Sequence, residues 1–508
     1  MEVKTVAMMS KKINKLLKWK YFDYLVLVIL LVLGFLLRTY LIDQNLFFGP
    51  EQGRDMLVVK EIVTSHKLVL IGPTTAVEGI FHGPLYYYLA AIPFFISKGN
   101  PLVIELFFIF LNSLSVFIIF LLGKELFDKR TGLIASFLFT FSFGAIIMAR
   151  WMSHPPLIIP IGTVFLLFLT KFIKGNNKYL VPTAIFYGIS AQTEFSNLII
   201  FSFIIFITAV VFWKRFASQK IINLIIGLFL VIILPIFNFV LFDLRHNNLI
   251  LNSMIKSQAH RPQFAGYFLH TLTGSIGQFV KVLTDVSIPA HTVLFAVFVF
   301  IFSLYALLKL KDKYKAEKKL MLIWLLSPFV AFILLRYNPL YHYFTSSIVI
   351  IIILNAVFIN YVMSFKKKFG LILIGLIIIG NLFWLFSFLP NNIYVFFQST
   401  QPDLKYKDQK AVIQRIYKEA NGTPFFYQAY TIPYWMQDGW KYLFWYYGSK
   451  YGYVPVHMNK GLLFVIIQND PSTKLYQTNW LKDTVSHWGT KQGEFRNGAL
   501  RVQKLIVE

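Results

Sequence analysis

Cysteine is absent from all 508 residues. Disulfide staples are excluded, and so is thiolate-based metal or redox chemistry. Acidic charge is scarce as well: 23 Asp and Glu stand against 49 Lys and Arg, for a net charge of +26. Charged residues make up only 14% of the chain and hydrophobic ones 57%, where a soluble domain carries roughly 25% and 45–50%. That balance describes a polytopic membrane protein. There is no Gly-rich phosphate loop of the P-loop or dinucleotide type, no internal repeat and no low-complexity linker. The positive excess does not indicate nucleic acid, because the Lys and Arg residues fall in short clusters between apolar runs. The 54 Phe and 27 Tyr suit lipid-facing helices with aromatic belts at both interfaces.

A membrane span needs about 20 apolar residues. The chain offers eleven such segments, near 22–42, 101–123, 131–149, 156–173, 179–193, 197–213, 221–243, 291–309, 320–335, 343–362 and 369–389. Lys4, Lys11, Lys12, Lys15, Lys18 and Lys20 precede the first, which reads as an uncleaved signal anchor with a cytoplasmic N-terminus. A further apolar stretch, Pro84 to Ser97, is too short to span. Loop charge decides its place. Without it as a span, Lys124/Lys129/Arg130, Lys171/Lys174/Lys178, Lys214/Arg215/Lys220, the lysines of 309–319 and Lys366/Lys367/Lys368 all lie inside, as the positive-inside rule requires. Counted as a span, it would put them all outside. The stretch is therefore expected in the interface, or re-entering from outside, with Tyr86-Tyr87-Tyr88 at headgroup depth. Residues 43–100, 150–155, 194–196, 244–290, 336–342 and everything after 390 then face the extracytoplasmic side.

The composition changes after 390, where Asn, Gly, Pro, Lys and Asp recur. Lys407 to Glu419 reads as an amphipathic helix ended by Asn421-Gly422. Leu462 to Ile467 and Leu500 to Val507 read as strands. The expectation is a mainly α protein: a transmembrane domain over 1–390, with about eleven helices and a catalytic first outer loop at 43–100, followed by a small extracytoplasmic α/β domain over 391–508. The aromatic segment Tyr434 to Tyr453 belongs either to that domain's core or to a contact with lipid or the membrane domain.

Polar residues that could carry chemistry gather in the outer loops. They are Glu51-Gln52-Gly53-Arg54-Asp55; Glu78 with His82-Gly83-Pro84-Leu85; Arg150 to Leu157, including His154; Arg245, His246, Lys256, His260, Arg261 and Lys281; and Arg336, Tyr341 and His342. Carboxylates there can act as general bases or hold a divalent cation, and neighbouring cations can hold phosphate oxygens. The combination suits group transfer from a lipid-linked phosphate. Arg38, near the outer end of the first span, reads as a snorkelling anchor.

The order of these motifs resembles the glycosyltransferase-C enzymes of glycosyltransferase family 39, which include protein O-mannosyltransferases and lipid A aminoarabinose transferases. The family's Pro-Asp-Glu-x-Arg-Tyr is matched by Pro50-Glu51-Gln52-Gly53-Arg54-Asp55, its Lys/His-Pro-Pro-Leu by His82-Gly83-Pro84-Leu85, and its Asp-x-Pro-Leu by His154-Pro155-Pro156-Leu157. The resemblance spans roughly residues 22–390. It implies a glycosyltransferase fold, a polyprenyl-phosphate sugar donor, membrane lipid as surroundings, and an acceptor that is a protein, lipid or glycan. It also implies an inverting transfer with Glu51 as general base. Asp55 and His154 would be further catalytic residues. Arg54, Glu78, His82, Arg150, Arg245, Lys256, Arg261, Arg336 and His342 would bind substrate or phosphate. A divalent cation could sit at Glu51 and His154, which are too few ligands to name the metal. The chain departs from the family at His154, where an acidic residue is usual. The competing readings are a transporter or lipid flippase, whose sites sit near the midplane, and a non-catalytic scaffold of envelope assembly.

Overall fold

The computed structural model describes residues 22–75, 77–259, 266–287, 293–390, 404–457, 459–470 and 473–508. Each of the eleven expected apolar segments is helical there, but not each is a full-length span. Among the described residues, six helices are long and apolar enough to cross a membrane, and up to eight if each of two bent pairs counts as one span. The shortfall from eleven has local causes. The segment expected over 131–149 is broken: Lys129–Phe141 and Phe143–Ala149 meet at 61°. Ser142 stands at the break and its Oγ accepts the Ala145 N–H at 3.4 Å, starting the second helix afresh. Leu180–Ala191 has only 12 residues and Phe195–Val211 only 17.

Small residues let the helices approach closely. Ser115–Leu126 and Lys129–Phe141 cross at Gly123 and Gly132, where an added Cβ on Gly123 would come within 2.8 Å of the Gly132 Cα. Ser136 Oγ donates across this crossing to Val116 O at 2.7 Å. Ser347–Phe365 is buried along most of its length and forms the centre of the larger hydrophobic core. Polar side chains stitch it to its neighbours: Asn355 donates to Ser287 Oγ at 2.9 Å and accepts from Ser303 Oγ at 3.2 Å. Ile221–Arg245 is the opposite case. Only Gly227, Pro235 and Asn238 are buried, and most of its Ile, Leu and Phe side chains are exposed, as a lipid-facing helix requires.

Arg38 corrects the snorkelling expectation. It is fully buried. The break at Ser142 leaves carbonyls at the end of Lys129–Phe141 without intrahelical partners, and Arg38 satisfies one through Phe139 O at 3.3 Å. It also donates to Gly34 O at 3.0 Å and to Asn112 Oδ1 at 3.3 Å.

The C-terminal part carries four strands, β1 (Phe425–Tyr430), β2 (Gly461–Ile467), β3 (Thr490–Asn497) and β4 (Leu500–Val507), in the order β1-β2-β4-β3. β1 and β2 run parallel, and the other pairs are antiparallel. Strand alternation splits β2 between two layers. Leu462, Phe464 and Ile466 pack with Val412, Ile413 and Ile416 of the helix Tyr406–Ala420, while Leu463, Val465 and Ile467 pack with Trp480 of Lys474–Asp483. The helix and both strands stand where the sequence put them. Asn421 ends the helix in the left-handed conformation at φ 47°.

The boundary expected at 390 separates segments whose side chains share one core. Phe48, Met56, Val59, Tyr86, Tyr87 and Phe94 pack in the same cluster as Trp440, Leu443, Phe444 and Phe425. The aromatic segment around Tyr442 thus serves both as domain core and as a contact with the segment 43–100. Phe94 stacks on Trp445 with ring centroids 5.9 Å apart. Gly53 makes the contact tight, because a Cβ there would run into the backbone of Asp438 and Gly439.

Candidate active site

Glu51 occupies the first turn of the helix Pro50–Ser65, with Pro50 opening the helix after Gly49. Gln52 fixes this end twice. Its Oε1 accepts the Gly49 N–H at 3.0 Å, and its Nε2 donates to Met152 O at 3.1 Å. That second bond ties the Glu51 turn to the loop bearing His154. The helix N-terminus favours a negative charge, yet surrounding protein raises the Glu51 pKa by desolvation, against the lowering pull of Arg54. Glu51 is the exposed carboxylate of the group.

Asp55, one turn on, is buried. Arg54 grips it through NH2 at 2.9 Å and Nε at 2.9 Å, and Tyr87 donates to it at 3.1 Å. Desolvation lifts Asp55 to about 6 despite Arg54. Arg54 also donates through NH1 to Thr74 at 3.1 Å. Its side chain remains 34% exposed, so its guanidinium is held in place while part of it stays open.

The histidines predicted from three separate loops converge. The His82 and His154 rings lie 4.1 Å apart, centroid to centroid. His82 Nδ1 accepts the Phe195 N–H at 3.0 Å, which makes Nδ1 the unprotonated nitrogen and leaves the proton of the neutral ring on Nε2. Burial lowers His82 to about 3, His342 to about 4 and His154 well below the usual value. All three rings are neutral at pH 7. His342 packs edge-on against Trp151 at 5.6 Å.

Glu194 was missed by sequence reasoning, although its three-residue loop was placed outside. It is fully buried, lies 3.6 Å from His342 Nε2, and has the Ser196 hydroxyl as its other polar neighbour. Burial raises it to about 8. One signal could have found it: a lone acidic residue between two short apolar helices.

Arg150 is buried, and its NH1 donates to Arg38 O at 2.7 Å and Tyr40 O at 2.8 Å, closing the end of the first helix. The remaining predicted residues stand apart from this cluster. Glu78 is exposed on a hairpin whose Gly79 packs against Ser253, one turn before the exposed Lys256 on Leu249–Ala259. Arg245 is exposed at the end of Ile221–Arg245. Arg336 sits over the Tyr267 ring at 4.5 Å. Arg261 lies outside the described residues. Among the described residues, no three His, Asp or Glu side chains converge in an arrangement that could hold a metal ion. Glu51 and His154 therefore gain no third ligand of that kind.

Residues 81–239 match the family model described as dolichyl-phosphate-mannose-protein mannosyltransferase. That range includes His82, Arg150, His154 and Glu194, and begins after Glu51. Over almost the whole chain, the structure superposes on ArnT from Cupriavidus metallidurans. The form bound to undecaprenyl phosphate gives a TM-score of 0.60 at 12% identity, covering 96% of this chain and 98% of that one. The apo form gives 0.62 at 11% identity, covering 94% and 97%. The chain has the glycosyltransferase-C fold. No curated protein matches it in sequence. Fold and family match together support a membrane glycosyltransferase of the C type.

Proposed function

We propose that this protein transfers a sugar from a polyprenyl-phosphate carrier to an acceptor hydroxyl on the extracytoplasmic face. The observation that carries this reading is the placement of Glu51. An exposed carboxylate on the first turn of a helix stands beside a half-open Arg54, which Asp55 and Thr74 hold in place. In the proposed step, Glu51 takes the acceptor proton. The acceptor oxygen then bonds to the anomeric carbon as the bond from that carbon to the phosphate oxygen breaks, and the polyprenyl phosphate leaves with the electron pair. A single displacement inverts the anomeric centre. Arg54 is the cation placed to balance charge growing on the phosphate. The undecaprenyl phosphate bound by ArnT supports a lipid-linked donor. His82 and His154, both neutral, form a polar wall that adds no charge to compete with Arg54.

The test uses purified protein, a panel of polyprenyl-phosphate sugars and candidate acceptor proteins, lipids and glycans. Removing a general base costs about 10²–10⁴-fold in rate, so Glu51→Gln should lose at least about a hundredfold in transfer while Glu51→Asp keeps measurable activity. Transfer by Glu51→Gln at the wild-type rate would remove Glu51 from the mechanism. Because the Glu51 pKa is raised, the acid limb of the rate profile should lie above the ordinary glutamate value and vanish in Glu51→Gln.

A further inference from the structure

A cavity lies outside the histidine cluster. It has a volume of about 260 Å³ and is walled by Tyr406, Tyr446, Tyr447, Tyr451, Lys410 and Lys450, with Asn100 at one edge and no acidic residue anywhere in its lining. Its walls are ordered before any ligand arrives. The Tyr406 and Tyr447 hydroxyls bond at 2.8 Å. Tyr451 stacks on Tyr417 at 4.2 Å with the rings 9° from parallel. The Lys450 ammonium sits over the Tyr446 and Tyr447 rings at 4.6 and 5.3 Å. Neither Lys410 nor Lys450 is paired with a carboxylate among the described residues. Asn100 caps the helix Pro101–Ser113, so the positive end of that helix adds to the local field.

Ring faces, hydroxyls and amides are what a saccharide needs, and two unpaired ammonium groups need an anion. We propose that this cavity binds the acidic sugar of an anionic glycan, with Lys410 and Lys450 meeting its carboxylate or phosphate group and the tyrosine faces taking the ring. The proposal rests on the transferase reading above, since it names the acceptor class. The cavity is slightly smaller than the roughly 300–1,000 Å³ of drug-sized sites, enough for one ring and its acid group. It is also coupled to the Glu51 turn. Tyr406 N donates to Leu46 O at 2.8 Å, and Gln409 Nε2 to Phe48 O at 3.0 Å. Glu51 follows Leu46 by five positions, a span of at most roughly 18 Å. A glycan held by its acidic residue in the cavity could thus extend a later residue toward the carboxylate.

The experiment titrates the full-length protein in detergent with tetragalacturonate, with maltotetraose as the neutral counterpart and inorganic phosphate as a competitor, read by calorimetry. Tetragalacturonate should bind at least tenfold more tightly than maltotetraose. Lys410→Gln/Lys450→Gln should lose at least tenfold while melting like the wild type. Equal binding of the neutral sugar, unchanged binding by the double variant, or full displacement by equimolar phosphate would each overturn the proposal. A readout that needs no variant is salt: raising it from low to molar strength should weaken binding of the acidic sugar, as screening requires, and an unchanged affinity also overturns it. Glu51→Gln should bind tetragalacturonate as the wild type does. In Glu51→Gln, lost transfer with retained binding leaves this site standing; wild-type protein that transfers sugar yet does not bind tetragalacturonate rejects this site alone.

Discussion

Glu194 is a buried carboxyl whose pKa burial raises to about 8, and its titration has a definite sign. Between about pH 4.5 and 8 the unfolded chain releases this proton while the folded protein keeps it. The wild type therefore loses stability as pH rises through that window, and Glu194→Gln does not. The melting temperature of Glu194→Gln minus that of the wild type should grow from about pH 5 to about pH 8 and then level off; a constant difference would mean that the carboxyl ionises normally. The histidines act in the opposite direction. His82 and His342 are lowered from 6.5 to about 3 and about 4, so stability is complete above about 6.5 and falls as pH drops below it. His82→Asn should flatten part of that decline in a pH series of thermal melts. These residues were unevenly legible. Glu51, His82 and His154 stood out as polar residues beside Pro and Gly at the ends of apolar runs. Glu194 did not, because what marks it is burial and the nearness of a histidine distant in sequence. Arg38 looked like an interface cation and Arg150 like a phosphate ligand, and their partners include carbonyls at helix ends, Phe139 O and Tyr40 O, that composition does not display.

At the scale of elements, the helix Pro50–Ser65 is anchored by glycine against Asp438–Tyr451. A methyl group at Gly53 meets backbone and not the flexible end of a side chain, so the two helices must separate to admit it. Gly53→Ala should destabilise the protein by about 1–3 kcal/mol, the usual cost of overpacking, and should also lower transfer, since the same movement displaces Glu51. Thermal melting and rate together check this; an unchanged melt would mean the contact is loose. Helices and strands were readable because period and length announce them, as in Tyr406–Ala420 and β2. Breaks were less so. The bend at Ser142 follows from one capping hydroxyl inside an apolar run, and the docking of the aromatic segment on the segment 43–100 follows from the Gly53 contact, which no local pattern encodes.

For the whole molecule, the arrangement across the membrane rests on loop charge, and the absence of cysteine makes it directly testable. Single cysteines placed at Lys313 and at Glu78 should react with a membrane-impermeant maleimide from opposite sides: Glu78→Cys in intact cells, Lys313→Cys only after the inner face is opened. Labelling of both from one side would reject the topology. The Gly53 contact has a temporal meaning as well. Position 53 is made early and position 439 late, and at ribosomal speeds of about 5–20 residues per second roughly 20–80 s pass between them. Throughout that interval the nascent chain carries Glu51 on a helix that still lacks its Asp438–Tyr451 partner. Catalytic competence would then arrive with the last stretch of translation, and a chain truncated before residue 439 would sit in the membrane as an inert precursor.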